Sequence, residues 1–443
     1  MFKTLKNAWK IEEIQNKILF TLLIILLYRI GCAIPVPFVD ASQLHNLTDA
    51  FSGTILEYLS LMSGGAMSQA TLFALSVSPY ITSSIVIQLL TVAFPNSLGK
   101  LAKEGEEGQK KIKKYTRIAT IIIALITAYG YTTLLGGQYG LFNTKYIQWD
   151  GLWAKGWAGS LYTILVIASY VAGACIIMWL AELIDAKGIG NGISMILFFN
   201  IVSSLPSFLV SVWSMIVTAK YLVVGILLGL LSLVLTIGMV LLIVWVTHSE
   251  RRIPIQYAKR VVGRKMYGGQ GTHLPIKLNM TGVMPVIFAS SIVAVPGTIA
   301  AFLNDGPVKT FLNTVFGATS WLYIILYIVL IIAFAYFYVL ISFNPIEVTN
   351  NIKNNGGSVP GIRTGKPTAE YITKILNRIT LIGAFFLIVV AGLPLILNSI
   401  SGGTFAGIAF AGTSMLIVIG VAIETFRDIE AQITMRNYKG FLD

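Results

Sequence analysis

The chain has 443 residues, 56% hydrophobic and only 12% charged, with a mean hydropathy of +0.78. Soluble globular proteins carry about a quarter charged residues, so the composition excludes that class and points to a polytopic helical membrane protein. Cys32 and Cys175 lie far apart in apolar runs, and His45, His248 and His273 have no neighbouring ligand pattern. This argues against a disulfide framework and a zinc site.

Apolar periodicity predicts ten spans, near 18–36, 70–94, 117–137, 159–184, 191–212, 221–247, 280–303, 318–342, 375–397 and 403–425. The net charge of +13 is distributed unevenly about them. One side holds 27 Lys and Arg residues and the other 4, with Arg29 inside the first span. By the positive-inside rule both termini are expected in the cytoplasm. The opening residues, MFKTLKNAWKIEEIQNK, are amphipathic and basic and do not read as a signal peptide.

Arg29 lies about two turns from the outer end of its span, where snorkelling to the interface is the favoured reading. Residues 37–69 form an external segment without Lys or Arg, and residues 55–62 can make two helical turns with Leu56, Leu59 and Met62 on one side. Such a segment is either re-entrant or a surface helix under the loop. From Met62 to Gln88 the chain is uncharged, begins with small residues and is interrupted by Pro79, which predicts a kinked or split helix. Irregular backbone at membrane depth survives only where protein or a water-filled cavity satisfies it, so this stretch is expected to line a cavity.

Residues 95–117 read as a solvated cytoplasmic hairpin. The tight joint Gly188-Ile-Gly-Asn-Gly192 allows close approach, and Asn191 can cap the following helix. The joint lacks the strand and the Lys-Ser/Thr pair of a phosphate loop. Five spans lie on each side of an external link at 213–220, the arithmetic of an inverted repeat with its pathway at the repeat interface.

Two cytoplasmic loops, 248–279 and 343–378, follow in the second half. Alternation around Ile253–Tyr257 predicts a strand or hairpin presenting Arg251, Arg252, Lys259, Arg260, Arg264 and Lys265, and a turn at Pro360-Gly-Ile-Arg363 presents one arginine. Basic, structured loops of this size bind acidic proteins, RNA or anionic lipid. Span seven, with Pro285, Pro296 and the pair Ser290-Ser291, mirrors the Pro79 stretch. Neither stretch contains an ionisable coupling residue or a reactive constellation, as a coupled transporter or an intramembrane enzyme would need.

The motifs Ile34-Pro-Val-Pro37, Pro79-Tyr-Ile-Thr-Ser-Ser84, Gly188-Ile-Gly-Asn-Gly-Ile-Ser194, Pro285-Val-Ile-Phe-Ala-Ser-Ser291, Pro360-Gly-Ile-Arg363 and Gly412-Thr-Ser-Met-Leu-Ile417 occur in order along the chain. On these residues the chain resembles the SecY family of bacterial protein-conducting channels. The resemblance implies an all-α protein of ten transmembrane helices, in two inverted halves around an hourglass pore with a re-entrant plug helix. The halves would be 1–212 and 221–425, joined by 213–220, with a cytoplasmic tail at 426–443. The plug would lie near 55–69 and include Met62, Ser63, Gly64 and Gly65. The implied pore ring is Val77, Ile81, Ile193, Leu197, Ile287 and Ile417, which singly would read as ordinary packing.

Gln88, Asn191 and Ser291 would flank a lateral gate between span two and spans seven and eight. The basic loop residues, Arg363 foremost, would dock a SecA motor or the ribosome. SecE and SecG are the implied channel partners, YidC and SecDF further ones, and signal-bearing polypeptides and membrane lipids the remaining ligands. No cofactor, metal or DNA is implied, and the expected location is the bacterial plasma membrane. The rival expectation is an inverted-repeat secondary transporter of a small solute.

Overall fold

The computed structural model describes residues 9–40, 55–142, 147–150, 153–218, 222–257, 260–262, 265–267, 272–303, 306–317, 320–400 and 411–439. Every expected span is matched by a helix: α1 (Glu12–Gly31), α3 (Ser78–Ala93), α5 (Glu106–Thr133), α6 (Gly156–Lys187), α7 (Gly192–Thr218), α8 (Leu222–His248), α9 (Met284–Phe302), α11 (Trp321–Ser342), α13 (Lys366–Ile400) and α14 (Ala411–Lys439). The shorter helices are α2 (Ile55–Met62), α4 (Leu98–Lys103), α10 (Pro307–Phe316) and α12 (Pro345–Asn354). Six helices among the described residues are long and apolar enough to cross a membrane, and Ser78–Ala93, Gly192–Pro206 and Met284–Ala300 are shorter apolar helices. The protein is a multi-pass membrane protein.

Hydrophobic burial does not drive helices together in lipid, where close backbone approach and interhelical hydrogen bonds do. Both operate here. Ser83 of α3 and Thr120 of α5 share a hydrogen bond of 2.6 Å between their hydroxyls. At the α6–α7 joint, a Cβ on Gly192 would run into the carbonyl of Ala181. Asp185 Oδ1 accepts from the Gly192 amide (2.7 Å), and Asn191 caps α7 by accepting from Ser194 N (3.1 Å).

Following the packing of neighbours, the helices close a circuit: α3 on α5, α5 on α6, α6 on α7, α7 on α14, α14 on α13, α13 on α11, α11 on α9, and α9 back on α3. The first five spans and the last five therefore meet at two seams, α3 with α9 on one side and α7 with α8 and α14 on the other.

Several local expectations shift. Pro79 does not kink a helix but occupies the first turn of α3, where its missing N–H costs no hydrogen bond. Pro285 does the same in α9, so the two mirrored helices both start at their prolines, while Pro296 lies within α9. The chain between α2 and α3 is a series of turns up to Val77, with positive φ at Gly64, Gly65, Ala70 and Ser76, so the helix resumes at Ser78 rather than near residue 70. Much of the 95–117 connection is helical, because α5 starts at Glu106. Likewise α7 continues to Thr218 and α14 to Lys439, so most of the expected link and tail is helix.

The two long loops of the second half, 248–279 and 343–378, form one unit. Strand β3 (Glu250–Tyr257) pairs antiparallel with β6 (Thr272–Lys277), matching Ile253 with Leu274, and its far end pairs with β7 (Gly357–Ser358) of the second loop. Ile253, Ile255, Ile276, Ile352, Val359, Ile372 and Leu376 make a separate apolar core beneath this sheet. Between β3 and β6, β4 (Arg260–Val262) and β5 (Lys265–Tyr267) form a hairpin.

Candidate functional site

All six expected ring residues come together. Val77 is the residue before α3 and Ile81 lies one turn inside it; Ile193 and Leu197 lie in the first turns of α7, Ile287 in the first turn of α9, and Ile417 in α14. Five of them are between 1% and 7% exposed and belong to one apolar cluster, against which the half-buried Ile193 packs. Each half contributes two helices to this meeting point. Aliphatic side chains offer no hydrogen-bond partner, so a collar of them excludes ions by dewetting and binds no passing side chain strongly.

The short helix α2 packs against α7 and α9. Leu56 is buried in the ring's cluster, with Leu59 and Met62 packed on it. The surface-helix alternative is therefore discarded. Beyond α2, Ser63 is buried, its hydroxyl donating to Ser60 O (2.9 Å) and accepting from Met67 N (3.1 Å). The Met67 carbonyl in turn accepts from the Tyr131 hydroxyl of α5.

Arg29 does not snorkel. Its Nη2 donates to the Phe199 carbonyl of α7 (2.8 Å) and its Nη1 to the Gly64 carbonyl (3.4 Å). Asn200, on the same face of α7 as Ile193 and Leu197 by helical spacing, donates from Nδ2 to the Met62 carbonyl (2.9 Å) and the Tyr28 hydroxyl (2.8 Å). A charge in the interior of a span was the available signal for Arg29. Nothing in the sequence marked Asn200.

At the α3 seam, Gln88 Oε1 accepts from the Tyr338 hydroxyl of α11 at 2.8 Å. The Tyr338 ring lies 5.1 Å from that of Phe288 of α9, so one tyrosine of α11 touches both α3 and α9. Ser291 bonds within its own helix, to Ile287 O (2.7 Å), and Asn191, as the cap of α7, accepts from Ser194 N of that same helix. Of the three expected gate residues, Gln88 alone bridges to a facing helix in the described hydrogen bonds.

Arg251 and Arg252 are exposed on β3, with Arg252 Nη2 2.7 Å from Glu250 Oε1. Arg363 is exposed on a turn between Gly361 and Gly365, both with positive φ. Lys259 and Arg264 lie outside the described residues, as do the side chains of Arg260 and Lys265. Near the sheet, partial burial and the Arg427 guanidinium hold the Lys277 ammonium below its ordinary value, against Glu424 and Glu250. Glu182 of α6 accepts two hydrogen bonds, of 2.8 and 2.7 Å, from the Arg117 guanidinium of α5.

The SecY family model matches residues 71–426. A protein translocase subunit SecY of Streptomyces coelicolor is 41% identical over 450 residues, covering 100% of both chains. The chain belongs to the SecY family. It is a protein-conducting channel subunit and not an enzyme, and the rival reading as a solute transporter finds no support. Among solved structures, one described as showing that the SecY plug domain stabilises the closed channel and maintains a membrane seal superposes with TM-score 0.63 at 19% identity, over 94% of this chain and 92% of that one. Sec61 in a canine ribosome–channel complex superposes with TM-score 0.58 at 17% identity, over the same shares. Both likenesses are of fold.

Proposed function

We propose that unfolded secretory polypeptides cross the membrane through the aliphatic collar formed by Val77, Ile81, Ile193, Leu197, Ile287 and Ile417, and that apolar segments leave sideways between α3 and the α9–α11 pair. The observation that carries this reading is the convergence of those six side chains, from two helices of each half, on one buried cluster beside α2. A pore that must pass every side chain cannot hold any of them, and dispersion contacts with branched aliphatic groups meet that requirement.

In this reading the two halves are 1–212 and 221–425, α2 with Ser63, Gly64 and Gly65 is the external plug, and the Gln88–Tyr338 bond closes the lateral gate. The sheet of the two cytoplasmic loops, with Arg251, Arg252, the basic hairpin and Arg363, docks a SecA-type motor or the ribosome. SecE and SecG complete the channel, and the membrane is a bacterial plasma membrane with both termini cytoplasmic. The Lys and Arg excess on that side and the rigid sheet joining the loops support this placement.

Vesicles containing the full chain, SecE, SecG and SecA should protect an unfolded secretory precursor from added protease in an ATP-dependent manner. An unprotected precursor, with saturable uptake of a small solute in its place, would refute the proposal.

A further inference from the structure

The carbonyls at the end of α2 present an accounting problem. In water the last carbonyls of a helix are solvated, but here they lie inside a membrane protein, where each unmet group is costly. Leu59, Ser60 and Leu61 are served locally, accepting from Ser63 N, Gly65 N and Gly64 N in a turn made possible by the positive φ of the two glycines. The Met62 carbonyl is served from outside, by Asn200 Nδ2 (2.9 Å) and Ser76 Oγ (3.2 Å). The Gly64 carbonyl accepts from Arg29.

Asn200 is fully buried, and its Oδ1 has no hydrogen-bond partner. A buried amide left half-satisfied costs stability, so its presence one turn from Leu197 calls for a reason other than packing. Arg29 is charged and lies in the interior of the first expected span, and its guanidinium faces the carbonyl end of α2, where the helix dipole favours a cation. Arg29 and Asn200 close on the same point: a Cβ built on Gly64 would stand 2.8 Å from Arg29 Nη1 and 3.0 Å from Asn200 Oδ1.

We infer that Arg29 and Asn200 are positioning residues that latch the carbonyl end of α2 to α1 and α7 and so hold the channel shut, an inference that rests on the reading of α2 as the plug. The apolar face of α2 can slide over aliphatic neighbours with little directional preference. The latch bonds are directional and fix the helix at one height above the ring. Displacing α2 strips the latch of its acceptors, and restoring them draws the helix back.

The test measures ion conductance of the full chain with its channel partners in planar bilayers, without substrate, in two backgrounds: intact, and lacking residues 55–68. Arg29→Leu and Asn200→Leu should each raise conductance about tenfold in the intact chain, as expected for loss of a buried hydrogen bond. Both should add nothing once 55–68 is deleted. Gly64→Ala, which pushes on both side chains from the plug and leaves them in place, should raise conductance likewise, and Arg29→Lys should recover part of the loss. If the deletion opens the channel but none of these variants does, the latch is overturned and the plug reading stands. Equal leaks in both backgrounds overturn it as well, by making the effect one of wall packing. A deletion that leaves conductance unchanged refutes the plug reading and the latch together.

Discussion

Arg363→Glu is expected to slow precursor transport into vesicles at least about tenfold while leaving the fold intact, because charge reversal at a docking surface turns attraction into repulsion. Arg363 is exposed, so its loss removes no core contact. Its backbone is nonetheless held in place. Gly361 and Gly365 turn the chain at φ of +81° and +101°, Thr368 Oγ1 donates to the Arg363 carbonyl (2.8 Å), and the preceding Ile362 packs on the apolar core of the loops. A cation on so rigid a turn can be recognised at a fixed position relative to β3, with little ordering cost on binding. Thermal unfolding of the variant should match that of the parent. Transport at the parental rate would remove Arg363 from the docking surface.

Replacing Ile81 and Ile287 together with Asn should raise resting ion conductance about tenfold or more, since two amides supply the hydrogen bonds that keep a narrow passage wetted. The residues come from α3 and α9, which pack on each other across the seam between the halves, and both lie in the buried cluster. Replacing the same pair with Val, which is also aliphatic, should leave conductance near the parental value. A leak-free Asn pair would show that the seal lies elsewhere.

The ten helices were legible because membrane length and apolar composition are local properties. The strand at Ile253 was legible from its alternation, but its partner β7 lies about a hundred residues further on, and no local pattern announces that pairing. The convergence of the six aliphatic residues was expected only through the family resemblance, since singly they look like any packed aliphatic side chain. The restart of the helix at Ser78 was hidden because the preceding turns depend on distant groups: Tyr131 on the Met67 carbonyl and Asn200 on that of Met62.

Arg29 was misread for a related reason. Its distance from the outer end of the span permits snorkelling, and only the carbonyls of Phe199 and Gly64, from two other parts of the chain, make the inward direction better. Tyr338 carried no signal, being one tyrosine in an aromatic-rich helix until Gln88 is found opposite it. Directional contacts between helices distant in sequence are the common feature of what was missed.

The central claim is that the translocating chain passes through the collar, and an arrested secretory precursor tests it most directly. With photoreactive side chains placed at positions 81 and 287 in separate chains, one precursor stalled in mid-transit should cross-link to both, and an equivalent probe on the outward face at position 226, in α8, should give no adduct. Absence of adducts at both 81 and 287, with the precursor demonstrably stalled, would contradict the account.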